Sequence, residues 1–265
     1  MAESLPLAER SDADLPGHWL LARLGKRVLR PGGLELTSRL LAAAEVEGAD
    51  VVELGPGLGR TARDIVALHP RSYVGVDDTA AATEAVREVV RPVQGLVVVA
   101  DAAVTGLPDD SADVVVGEAM LTMQGDKAKR AIIAEAFRVL RPGGRYAIHE
   151  LGLLPDSMPQ ETKDDIRRDL ARSIKVNARP LTAAEWTQLL ADAGFQDITI
   201  DYAPMALLNP ARVLADEGFV GALRIVKNIA IRAAARRRVI GMRRTFHRYR
   251  RSLTAIAAVG VVPVS

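Results

Sequence analysis

Between Val51 and Arg60 an apolar run closes on an acid, and glycine then recurs at every second position: Val51-Val52-Glu53-Leu54-Gly55-Pro56-Gly57-Leu58-Gly59-Arg60. Few local folds accommodate that wording. The apolar run suits a buried strand, the glycines suit a tight turn that brings backbone close to a small ligand, and a helical pattern follows. The spacing also excludes one common use of such a loop. A dinucleotide fingerprint, G-x-G-x-x-G, needs glycine at position 60, where this chain has Arg60; its third glycine is Gly59.

The same device recurs downstream. Ser72 to Val76 is apolar and ends in Asp77-Asp78, with Asp77 placed to accept hydrogen bonds from both hydroxyls of a ribose and Asp78 placed to cap the next helix. Leu96 to Ala100 ends in Asp101-Ala102, where the plainer alternative is that Asp101 merely starts a turn. A fourth strand, Ala112 to Gly117, runs into Glu118-Ala119-Met120, and a fifth, Tyr146 to Leu151, carries His149-Glu150 near its end. Strands alternating with helical patterns, such as Lys127 to Leu140, predict an α/β fold with a parallel sheet whose strand ends line a ligand crevice. His149 and Glu150 are the titratable candidates for a general base, although neighbours on a strand face opposite ways.

Two features together resemble motifs of the class I S-adenosylmethionine (SAM)-dependent methyltransferases, of a broad small-molecule type. One is the E-x-G-x-G-x-G loop; the other is Leu140-Arg141-Pro142-Gly143-Gly144, the L-[KR]-P-G-G turn into the fifth strand. The resemblance implies a Rossmann-like seven-stranded sheet, parallel except its last strand, with helices on both faces and helical lid insertions. It implies SAM as cofactor and S-adenosylhomocysteine as product. Its cofactor residues would be Glu53, Gly55, Gly57 and Gly59 at the methionine end, Asp77 and Asp78 at the ribose, Asp101 and Ala102 at the adenine, and Glu118. The acceptor would be a small molecule or lipid-like compound attacking through O, N or C, with His149 or Glu150 as the base where one is needed. The amine-methylating signature [DN]-P-P-[YFW] is absent after the fourth strand, which makes nucleic acid an unfavoured substrate. A non-catalytic SAM-binding scaffold remains the alternative.

Domain expectations follow. Residues 1–48 form an arm and cap helices, with residues 1–15 a loose arm and Gly32 and Gly33 as ligand neighbours or a plain turn. Residues 49–206 form the core, with a lid insertion at 152–180; 207–252 form a basic helical insertion, and 253–265 the last strand. Within the insertion, Phe219, Ala222, Leu223, Val226 and Ala230 share one helical face, and Val239, Met242, Phe246 and Tyr249 share another, as core-facing stripes do.

Cysteine is absent, so disulfides, thiolate metal sites and cysteine nucleophiles are excluded. Neither a secretory signal nor a membrane-length apolar run is present, and a cytoplasmic protein is expected. Charge is divided unevenly: residues 211–265 carry a net +10 and the preceding residues a net −8. The basic stretch 224–251 would face an anionic membrane or ligand, pack on the acidic body, or dimerise.

Overall fold

The computed structural model describes Leu7 and residues 9–264. The expectations for residues 1–6, 8 and 265 lie outside them. Two cap helices, α1 (Gly17–Arg23) and α2 (Gly33–Ala43), precede β1 (Asp50–Leu54), α3 (Arg60–Val66), β2 (Ser72–Asp77), α4 (Ala80–Val90), β3 (Leu96–Val99) and β4 (Ala112–Glu118). Then come α5 (Asp126–Val139), β5 (Leu140–Leu153), α6 (Gln160–Ile174), the two-residue β6 (Leu181–Thr182), α7 (Ala183–Ala191) and β7 (Gln196–Pro204). The chain closes through α8 (Pro210–Ile231), α9 (Ala233–Arg248) and β8 (Leu253–Val261).

The sheet runs β3-β2-β1-β4-β5-β8-β7, with β6 added beside the far end of β5. Only β8 runs antiparallel, to both β5 and β7. The expected seven strands are present and β6 makes an eighth.

Period-two alternation explains why the central strands look uniformly apolar. Val52, Val115, Tyr146 and Ile148 face α5 and α7, while Val51, Val114, Val116 and Ala147 face α2, α3 and α4. Both faces are covered, so both registers must be hydrophobic. β3 is an edge strand instead, and Leu96 and Val99 are exposed. Thr182 opens α7 with a full capping box: its side chain accepts from the Glu185 N–H, and Glu185 answers to the Thr182 N–H.

The helix after the glycine loop stops at Val66, and Leu68 beyond it is exposed. The arm is tied down where it is described. Leu15 is fully buried, and the Arg23 guanidinium donates to the Arg10 carbonyl (2.7 Å) and pairs with Asp12 (3.1 Å). α1 ends at Arg23: Gly25 takes a φ of +104° and the chain then runs out to Glu217, which accepts the Arg27 and Val28 N–H groups at 2.8 and 2.9 Å.

The cap and insertion helices build their own small core. Leu20, Leu21 and Leu24 of the cap meet Ala235 and Met242 of α9, with Ile174 and Phe246 beside them. The Val239/Met242/Phe246/Tyr249 stripe is therefore buried or partly so, as expected. The other stripe is not: Phe219 is 74% exposed, Leu223 59% and Val226 62%. Ile225 and Ile229, on the opposite side of that helix, do the packing. No helix among the described residues is long and apolar enough to cross a membrane.

Candidate active site

Four strand tips converge on one crevice. At the tip of β1, Gly55, Gly57 and Gly59 all have positive φ, +66°, +54° and +68°. A Cβ on Gly57 would meet nothing nearer than the Gly55 carbonyl at 3.9 Å, so it is the left-handed backbone that requires glycine there, and not crowding. The loop is fastened to the tip of β2. Asp77 Oδ2 accepts the Gly57 N–H (3.1 Å) and Oδ1 accepts the Thr79 N–H (2.9 Å). Burial raises the Asp77 carboxyl above its ordinary range, and those two N–H donors oppose the rise. Asp78 does not cap α4. Thr79 is the residue at that helix start, and its hydroxyl donates to Asp78 (2.9 Å). Asp101 turns its own chain, accepting the Ala103 N–H at 2.8 Å, and stands with Ala102 on the crevice wall.

Glu53 is buried directly under the loop and accepts the Tyr73 hydroxyl at 2.6 Å. Burial is the dominant influence and pushes its carboxyl up to about 8, so at neutral pH it is mostly protonated.

Beside it lies a network that the sequence did not reveal. Arg30, 4% exposed, reaches Glu118 and Thr61 with one nitrogen and Asp64 with another (2.7 Å). Glu118 also accepts from Thr61, from Thr37 (2.5 Å) and from His149 Nδ1 (2.8 Å). Burial alone would raise the Glu118 carboxyl, but Arg30 and these donors outweigh it and hold it far below the carboxylate range. His149 is fully buried: its Nε2 accepts the Gly32 N–H (3.0 Å), which leaves the proton on Nδ1, facing Glu118. Both ring nitrogens thus have protein partners, and His149 is not on the crevice wall. Glu150 points the other way, to the crevice wall, and is equally engaged. It accepts the Met120, Leu121 and Thr122 N–H groups (3.0, 2.7 and 3.0 Å) and the Thr122 hydroxyl (2.6 Å). Neither residue offers an unengaged basic atom to a ligand.

Gly32 and Gly33 do not line the crevice. Gly33 has φ +69°, and a Cβ there would lie 2.9 Å from Asp216, so it serves the packing of α8; Arg30 and Pro31 line the crevice in their place. The only sequence signal for Arg30 was its place just before a helix-breaking Pro-Gly-Gly.

The crevice holds about 530 Å³. Its floor is the glycine loop, Asp77, Asp78, Asp101, Ala102, Glu118 and Met120; its roof is apolar, with Trp19, Leu29, Ile174, Leu207, Met242 and Phe246. His18 and Arg27 of the cap, both ionisable, also line the crevice; burial lowers His18 to about 4, so it is neutral at pH 7.

An open sheet with one antiparallel strand second from its edge, a positive-φ glycine loop after β1 and acids at the next two strand ends defines a class I methyltransferase-type cofactor domain. The donor set fits SAM, which presents ribose hydroxyls, an aminated base and an amino-acid end to three separate strand tips. Comparison with known proteins agrees. The family described as "Methyltransferase domain" matches residues 52–148. An uncharacterized protein of Haemophilus influenzae is 34% identical over 239 residues, spanning 88% of this chain and 93% of that one. A probable SAM-dependent methyltransferase of Mycolicibacterium smegmatis is 35% identical over 149 residues, covering 56% of this chain but only 52% of its own length. Among solved structures, the Haemonchus contortus phosphoethanolamine N-methyltransferase 2 bound to phosphomonomethylethanolamine and S-adenosylhomocysteine superposes with TM-score 0.69 at 16% identity, covering 97% of this chain and 59% of that one. That likeness speaks to fold. The chain belongs to the class I SAM-dependent methyltransferases: it is a SAM-dependent enzyme, and SAM is its cofactor.

Proposed function

We propose that this methyltransferase acts on a small-molecule or lipid-like acceptor held between the strand-tip floor and the apolar roof. SAM supplies an electrophilic methyl group on its sulfonium; everything else is the work of the chain. Asp77, with Asp78 at the same rim, holds the ribose, Asp101 and Ala102 flank the base, and Glu53 with Gly55, Gly57 and Gly59 cradles the methionine end. Glu118 spends its lone pairs on Arg30, Thr61, Thr37 and His149, so its part is to fix the wall beside that end. His149 and Glu150 are positioning residues: the first locks Glu118 to the cap through Gly32, and the second shapes the Met120–Thr122 wall. Alignment of acceptor and methyl group then carries most of the rate enhancement, up to roughly 7–11 kcal/mol in ideal cases.

The observation that carries the acceptor class is the roof, where Trp19, Leu29, Ile174, Leu207, Met242 and Phe246 face the same crevice as the floor acids. On this reading residues 1–48 and 152–180 serve as cap and lid, 207–252 completes the roof, and 253–265 closes the core of 49–206. The exposed arginines of 224–251 face an anionic membrane or ligand, and nucleic acid is unfavoured. The test is release of S-adenosylhomocysteine across parallel panels of lipids, phenols, amines and sugars. Turnover confined to sugars or other fully polar acceptors would remove the apolar-acceptor reading.

A further inference from the structure

We infer that the second half of α8, with the arginine-rich outer face of α9, docks this protein on an anionic lipid bilayer. The inference rests on the reading of 224–251 as anion-facing and adds the apolar anchor that selects a membrane over a soluble anion.

Its starting point is an apolar stripe that no described residue covers. α8 is held firmly in its first half. Asn209 caps it, Glu217 takes the Arg27 and Val28 N–H groups, and Lys26 lies buried 3.5 Å from Glu217. At Gly218 the backbone turns to φ +70° and ψ 174°, and the helix resumes in a new direction. From there Ile225 and Ile229 pack inward, while Phe219, Val220, Leu223, Val226 and Ile231 are all more than half exposed, between 59% and 74%. Apolar side chains concentrated on one open helix face mark an interaction surface.

Charge chooses the occupant. After Glu217 the chain carries eleven Lys and Arg and not one Asp or Glu. Lys227 and Arg224 are exposed residues of the same half-helix, the Arg224 stem passing over Gly25 of the cap. On α9 the buried face is Ala235, Val239, Met242 and Phe246, which leaves Arg236, Arg237, Arg243 and Arg244 outside. A second copy of the chain is disfavoured because a two-fold interface through this face would set its cations against the same cations, with no acidic residue after Glu217 to offset them. A nucleic acid would match the charge and leave the five apolar side chains in water. An anionic bilayer satisfies both: apolar side chains enter the acyl boundary and cations meet the headgroups. Because Met242 and Phe246 also roof the crevice, α9 would separate acceptor site and membrane by one helix.

The experiment is flotation of the full chain with phosphatidylcholine vesicles, with and without phosphatidylglycerol, at low and high salt. Flotation is expected only with phosphatidylglycerol and only at low salt. It should fall by at least about tenfold both in Phe219→Asp/Leu223→Asp and in Arg243→Glu/Arg244→Glu. These side chains are exposed and off the crevice wall, so thermal melting and SAM affinity should match the parent; a loss of SAM binding in the parent itself would count against the enzyme reading and not this one. The inference is overturned by no flotation on anionic vesicles, or by flotation indifferent to both variants. A dimer in light scattering that Phe219→Asp/Leu223→Asp dissociates would overturn it too, by giving the face to a second copy.

Discussion

Glu118 and His149 are register partners on adjacent parallel strands, β4 and β5, and their side chains meet at 2.8 Å. Their pairing links the sheet to the cap, because the other nitrogen of His149 holds the Gly32 N–H just ahead of α2. A histidine used this way is judged by shape. His149→Asn keeps a donor where Nδ1–H stood and should retain most turnover with an unchanged pH–rate profile. His149→Ala leaves a cavity and an unpaired buried N–H, and should cost about 2–4 kcal/mol of unfolding free energy. Loss of an ionisation from the pH–rate profile of His149→Asn would show a base after all.

Arg30 is the buried cation on which Glu118 and Asp64 depend. Arg30→Met should destabilise the fold by about 3–5 kcal/mol, since it strands a buried carboxylate. Arg30→Met/Glu118→Gln should recover a substantial part of that loss. Denaturant midpoints of the two variants make the comparison, and equal midpoints would count against the pairing.

Asp77 ties the glycine loop to β2 and keeps lone pairs for a ligand. Asp77→Ala should weaken SAM binding tenfold or more, about 1.4 kcal/mol or above, by calorimetry. Unchanged affinity would take Asp77 away from the ribose.

Glu53 gives stability a pH dependence of defined sign. Its folded value, about 8, lies above its ordinary 4.5, so the folded state holds a proton that the unfolded state has released. Its contribution is therefore complete below about pH 4.5 and declines as pH rises, by up to about 1.4 kcal/mol per unit, levelling off above about pH 8. Glu53→Gln should flatten that decline in the unliganded protein. In the parent, SAM binding near pH 7 should release a proton, seen as a buffer-dependent calorimetric enthalpy. Parallel pH–stability curves for parent and variant would refute the assignment.

The glycine loop, the acids at strand ends and the two-sided apolar strands were legible because each is a local requirement, backbone sign or alternation; the Leu140–Gly144 stretch, expected as a turn, instead lies within β5, where the pairing with β4 shifts register. Such features fix an α/β fold. What escaped was every partnership made across long sequence distance. His149 stands near a strand end as a candidate base would, but only the fold brings Gly32 and Glu118 to its two nitrogens, and only the fold brings Arg30 to the crevice wall and to Glu118. The stripe beginning at Phe219 shows the limit most plainly. Periodicity fixes which residues share a helix face, but what that face meets depends on where the Gly218 bend and the pinned Asp216–Glu217 pair send the helix. That is decided by tertiary packing alone, because burial is a property of the neighbours and not of the repeat.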